Sequence, residues 1–206
     1  SGIPKVYSGR NGIDAWEMPW AIPRNPLKMV YVSTPFRGLG SLLSKYYPRI
    51  KERVKEAELH CYYGWESADK LGATSTPEGR AFKETVMELV KQPGVTWHGR
   101  IGQPDLYREV ASAGVWSYPS DHREEHCISA YVAQACGAWP VVFPVGALPQ
   151  SVIFGWKVGP ESFVDAVIEA MHTEDGREQM MDWTRLWTSW DDVASSWERL
   201  WKGCPA

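Results

Sequence analysis

Short apolar runs alternate along this chain with stretches of helical period. Lys28–Ser33, Glu58–Tyr63, Val95–His98, residues 114–118, Pro140–Phe143 and Val152–Phe154 read as strands of the buried type. Residues 39–54 carry apolar side chains at 39, 42, 43, 46, 47, 50 and 54, a helical stripe in which Pro48 predicts a kink or two short helices. Residues 79–90, 104–113, 126–136 and 160–171 also read as helices, the second with proline early and the third stopped by Gly137. Strands alternating with helices at this spacing predict an α/β fold, a doubly wound parallel sheet with right-handed crossovers. Residues 1–26, rich in Pro, Gly and Trp, read as a connector rather than core, with a turn at Asn11-Gly12 and one helical turn at Asp14–Glu17. Residues 27–175 form the sheet domain. The tail, 176–206, places Trp183, Trp187, Trp190, Trp197 and Trp201 with Leu186, Val193 and Leu200 on one helical face, broken near Ser189–Asp191. That face is expected to pack on the sheet domain or to cover a second domain.

Composition narrows the class. With 22 basic and 25 acidic residues and 44% hydrophobic content, the chain of 206 residues fits neither a disordered segment nor a basic nucleic-acid-binding surface. No run reaches membrane-spanning length and no signal-peptide pattern opens the sequence, so a cytoplasmic or intracellular location, or one peripheral to a membrane, is expected. Cys61, Cys127, Cys136 and Cys204 form no CxxC pair and read as reduced thiols. Ser1-Gly2 suggests a cut from a longer chain.

The chemistry is expected between Gly114 and Phe143, where a strand, a charged loop, a helix of small residues and another strand follow in order. In a parallel sheet, the loop beyond a strand's carboxyl end and the next helix's first turn hold anionic ligands, because free N–H groups and the helix dipole point there. Glu124 and Glu125 read either as solvated acids at a helix start or as functional groups. Arg37 and Arg100 each follow a strand end, so both guanidinium groups are expected to converge on residues 120–128, an arrangement suited to a diphosphate. His122, His126, Cys127 and Glu124 match no closed zinc spacing. Cys127 has no evident His and Asn or Asp partners for nucleophilic catalysis. The absence of GxSxG, Walker-type and GxGxxG motifs weighs against a serine hydrolase, a P-loop NTPase and a nicotinamide-dinucleotide enzyme.

Several segments, in order, resemble the C-terminal, donor-binding half of a GT-B glycosyltransferase of the large retaining group that includes glycogen- and sucrose-synthase-like enzymes. They are Asn11–Asp14, Tyr31–Leu39, Val95–Ile101, Tyr118–Ser120, Glu124–Gly137, Pro140–Val142, Val145–Pro149 and the last helices with Ser189–Asp191. The resemblance implies a Rossmann-like domain that binds a nucleoside-diphosphate sugar as donor substrate, with no metal and no cofactor. It implies that Arg37, beside Gly38, contacts the diphosphate and that Glu124 contacts the transferred sugar. His126, Cys127 and Ile128 would offer backbone N–H groups, and Arg100 and Ile101 would lie against the base.

This sequence also departs from the pattern. Val132 stands where the family's second glutamate binds the ribose hydroxyls, Thr34 stands near a usual basic residue, and Gln150 replaces a usual Glu. The N-terminal half, which would supply the acceptor pocket, is a missing partner, so the chain alone is expected to bind donor without efficient transfer. Two other readings remain open: a degenerate glycosyltransferase-like scaffold, and a metal-dependent hydrolase using His122 and His126.

Overall fold

The computed structural model describes residues 9–202; Cys204 and the first eight residues of the expected connector lie outside them. Six parallel strands, β1 (Asn25–Val32), β2 (Glu58–Tyr62), β3 (Val95–Gly99), β4 (Ala113–Tyr118), β5 (Trp139–Val142) and β6 (Trp156–Lys157), lie in the order β3-β2-β1-β4-β5-β6. This is the doubly wound, Rossmann-like arrangement. The central strands read as continuous apolar runs because both of their faces are covered; every residue of β4 is buried. After β1 the chain works outward to β3 and then returns to pair β4 with β1, Val30 opposite Trp116. The loops that follow these two strands therefore meet at the carboxyl edge, where the winding reverses.

The helices follow the periodicity with informative exceptions. The 39–54 stripe forms α1 (Leu39–Ser41), a π-helical turn (Leu42–Tyr46) and α2 (Tyr47–Arg53). Pro48 cannot donate to the carbonyl four residues back, and the Tyr47 N–H reaches Leu42 instead, which is the predicted kink in atomic form. The loop after β2 holds an unforeseen short helix, α3 (Glu66–Lys70). Thr76 caps α4 (Pro77–Leu89) by accepting from the Gly79 N–H at 3.0 Å. α5 (Gln103–Ala111) and α6 (Ile128–Ala135) flank β4 in sequence. α7 (Leu148–Ser151), α8 (Phe163–Met171), α9 (Arg177–Trp187) and α10 (Trp190–Trp201) complete the chain. No helix among the described residues is long and apolar enough to cross a membrane.

Three expectations are corrected. Val152–Phe154 is not a strand: the Ile153 and Phe154 N–H groups both donate to Oε1 of the buried Gln134, at 2.9 and 3.0 Å, and pairing with β5 begins only at Trp156. The connector is not peripheral to the core. Ile13 and Met18 are buried in it, and Ile13 bridges to Ser189 through bonds with Thr188 and Trp190. The tail's packing face coincides with the tryptophan stripe only in part. α9 lies against α6 through Arg177, Met180, Met181, Thr184 and Arg185; of the stripe, Val193 is buried and Trp183, Trp197 and Leu200 are half-buried, while Leu186, Trp187, Trp190 and Trp201 are exposed. The break between α9 and α10 falls where predicted, with Ser189 capping the Asp192 N–H at 3.1 Å.

α6 is fastened at its carboxyl end. Gly137, at φ +82°, closes it with bonds from the Gly137 and Ala138 N–H groups to Gln134 and Ala133. Arg185 donates to the Ala135 carbonyl at 2.7 Å, Arg24 to Cys136 and Gly137, and Arg177 to Gly137. Cations there complement the negative end of the helix dipole. Crowding two of them together has an electrostatic penalty: burial, and then repulsion from Arg177, lower Arg24 to about 10.

Candidate functional site

The loop after β1 and the loop after β4 interlock before any ligand is considered. Gly38 has φ +97°, and a Cβ there would sit 2.5 Å from the Pro119 carbonyl oxygen. Only glycine permits both the conformation and the approach. Tyr31, buried in β1, donates from its hydroxyl to the Thr34 and Arg37 carbonyls at 2.9 and 2.8 Å, fixing the path of that loop. On the other side, a Cβ at Gly146 would meet the Glu124 backbone at 2.6 Å, and the Ala147 N–H donates to the Glu124 carbonyl at 2.8 Å. The 145–147 turn thereby clamps the charged loop.

These constraints bring Arg37 and Glu124 together. One Arg37 nitrogen, Nη1, lies 3.0 Å from both Glu124 carboxylate oxygens. The Tyr118 hydroxyl donates to Glu124 Oε1 at 2.6 Å and lies 3.4 Å from Ser33 Oγ. Burial first, and then its bond to Glu124, push the Tyr118 hydroxyl pKa well above the ordinary tyrosine value. The Glu124 side chain is 6% exposed and that of Arg37 38%, so the pair joins a buried carboxylate to a cation that water still reaches. It opens on a cleft of about 480 Å³, which Thr34, Tyr63, His122, His126, Cys127, Ile128 and Ser129 help to line.

α6 starts at Ile128, two residues later than the sequence suggests, with Cys127 in extended conformation as its cap. The first N–H groups of a helix lack intrahelical partners, and Ile128 and Ser129 line both this cleft and its neighbour. Burial pushes the Cys127 thiol up to about 12, which makes it a poor nucleophile at neutral pH. His126 separates the cleft from another of about 560 Å³ lined by Arg10, Glu125, Gln150 and Trp197. Its Nε2 is buried without a partner among the described residues, and burial, then Arg10, lower its pKa. Among the described residues, no three His, Cys, Asp or Glu side chains converge as a metal site requires.

Arg100 does not share the cleft with Arg37. It lines an adjoining cavity of about 170 Å³, which also holds Ile101, Val132, Gln103, Trp116 and Tyr63. The two arginines thus flank the start of α6 in neighbouring clefts, because Arg100 follows β3, two strands away from β1.

Tyr63 is a site residue that the sequence does not single out. It lines both clefts, is 40% exposed, and has φ +99°, the one non-glycine residue with positive φ among those described. A bulky residue held there stores about 1–3 kcal/mol of strain. Its N–H donates to the Gly99 carbonyl at 2.9 Å, tying β2's end to the Arg100 loop. No sequence signal marks such a conformation; the following Gly64, at φ +75°, hints at a turn and nothing more.

No protein-family model matches the chain, and no curated protein does. Solved structures share its fold. Sucrose-phosphate synthase from Thermosynechococcus elongatus superposes with a TM-score of 0.69 at 18% identity, over 94% of this chain and 51% of that one. AviGT4, a glycosyltransferase involved in avilamycin A biosynthesis, gives 0.67 at 15%, over 94% and 57%. Anabaena HepE in complex with UDP-glucose gives 0.66 at 11%, over 86% and 49%. The chain spans about half the length of these proteins, with which it shares an α/β, Rossmann-like fold.

Proposed function

We propose that this chain is the donor-binding portion of a glycosyltransferase, taking a nucleoside-diphosphate sugar across the two adjoining clefts. The observation that carries this reading is the meeting of Arg37, Glu124 and the start of α6 in one cleft at the sheet's switch point, beside a largely apolar cavity of about 170 Å³. Base and ribose occupy the smaller cavity against Arg100, Ile101 and Val132. The diphosphate lies over the first turn of α6, and the sugar reaches Glu124.

In this reading Arg37 changes partners. Paired with Glu124 it is neutralised; turned toward the cleft it meets the negative charge that develops on the departing diphosphate. The N–H groups near 126–128 assist, so a cation and a helix start do the work that a divalent metal does elsewhere. Glu124, released from Arg37 and still held by Tyr118, accepts from the sugar's hydroxyls. Transfer with retention of configuration belongs to the same proposal, as does the need for a preceding half-molecule that brings the acceptor.

Titration calorimetry with UDP, GDP and ADP tests the reading. At least one should bind the wild-type chain, and Arg37→Ala should weaken that binding about tenfold or more, the loss expected of a charge-assisted contact. Failure of all three to bind would overturn it and leave the scaffold reading.

A further inference from the structure

On the donor reading, on which this inference rests, the cavity holding Arg100 and Val132 receives the nucleoside, and it offers that nucleoside an unusual set of groups. Its lining includes no carboxylate among the described residues; the acceptors are hydroxyls and the Gln103 amide. The one carboxylate of the described residues lining the adjoining cleft, Glu124, is held by Tyr118 and, on the donor reading, taken by the transferred sugar. A ribose diol, two O–H donors side by side, is held strongly by a charged acceptor and weakly by neutral ones. Nothing of that strength lines this cavity.

A flat heteroaromatic ring meets better partners. The fully buried Trp116 lines the cavity, and its indole N–H has no partner among the described residues. Its buried indole gives the cavity an apolar, aromatic wall. At the mouth, the Arg100 guanidinium carbon stands 6.0 Å from the Tyr63 ring centroid. That is too wide for tight stacking and about an ångström short of the roughly 7 Å that a flat ring needs between two flat groups. Arg100 is exposed and, held by one long 3.5 Å bond to Ser67 Oγ, can give way. Tyr63 is exposed as well, but its backbone is tied by the N–H bond to Gly99, in a conformation that glycine would adopt without strain. Strain retained at a half-exposed aromatic between two clefts signals a use for the ring.

We propose that Tyr63 is the platform on which the base stacks, with Arg100 on its opposite face, and that this site reads the base and leaves the ribose unread. The ligand class therefore extends to 2′-deoxyribonucleoside diphosphates and their sugars, which bind as well as the ribonucleotides.

The test measures the dissociation constants of UDP, GDP and ADP beside those of their 2′-deoxy counterparts, for wild type, Tyr63→Gly and Tyr63→Phe. For the nucleotide that binds best, the deoxy form should match within about threefold, since neutral hydroxyl contacts contribute little. Tyr63→Gly should raise the melting temperature by relieving the backbone, and yet weaken binding about tenfold, the loss of one base–aromatic stack. Tyr63→Phe should bind like wild type. A deoxy form bound more than tenfold weaker than a ribonucleotide that itself binds would overturn this inference and leave the donor reading standing. Unchanged affinity in Tyr63→Gly would remove the platform. If no nucleotide binds the wild type, the donor reading falls and this one with it.

Discussion

Arg37 and Glu124 belong to one ion pair but do not suffer equally when it is broken. Glu124 is 6% exposed at its side chain and Arg37 is 38%. Arg37→Ala strands a carboxylate that water barely reaches, leaving it only the Tyr118 hydroxyl at 2.6 Å. Removing one partner of a fully buried pair costs about 3–5 kcal/mol; the partial exposure of Arg37 screens this pair and brings the figure to about 2–3 kcal/mol. Glu124→Gln keeps an oxygen for Tyr118 and leaves a guanidinium that can turn to water, at about 1 kcal/mol. The double variant no longer strands a charge, so it should be more stable than Arg37→Ala alone by about 1 kcal/mol. Urea unfolding followed by tryptophan fluorescence yields all three differences, and Arg37→Ala should lower the melting temperature by about 5–10 °C. Strictly additive effects in the double variant, or a melting temperature unmoved in Arg37→Ala, would refute the claim that Arg37 holds the buried carboxylate.

Three further outcomes are expected. Gly38→Ala forces a Cβ to within 2.5 Å of the Pro119 carbonyl at φ +97° and should cost about 2 kcal/mol or more in urea unfolding; a neutral result would mean the two loops can separate freely. Gln134→Leu removes the acceptor for the Ile153 and Phe154 N–H groups and the donor to the Ser151 carbonyl, for a loss of about 2–4 kcal/mol and faster amide exchange at 153 and 154. His60 and His98, with ring nitrogens 2.9 Å apart, both have pKa values lowered from the ordinary 6.5, first by burial and then, for His60, by Lys28, with Glu58 and Glu109 opposing. The unfolded chain then binds more protons than the folded one just below pH 6.5, so stability should fall as pH drops through that point. Urea midpoints at pH 7.5 and 5.5 should differ less in His60→Gln than in wild type, and an unchanged difference would clear the pair of this role.

The strands that lie between helices were legible because burial on both faces leaves continuous apolar runs, as in β4 and β5. β6 was not. It has two residues, and the apolar run just before it is held by Gln134, whose position beneath it is a tertiary fact that no local pattern carries. The arginines after β1 and β3 announced themselves as cations at strand ends, but their division between two clefts depends on strand order. The charged loop was legible as a loop, whereas its clamp on Gly146 and the pairing of Glu124 with Arg37 required coordinates. Tyr63 shows the limit most plainly: its importance lies in a backbone angle, and the letter for tyrosine is silent about angles.

The tail never touches either cleft, yet it governs the direction in which α6 points. Arg177 and Arg185 reach from α9 to grip the far end of that helix, joined by Arg24 from ahead of the first strand. A truncation at residue 175 would keep all six strands and every residue lining the two clefts beside α6, and would still remove two of the three arginines that hold the far end of that helix. Whatever displaces α9 therefore loosens the far end of the helix whose start lines both clefts.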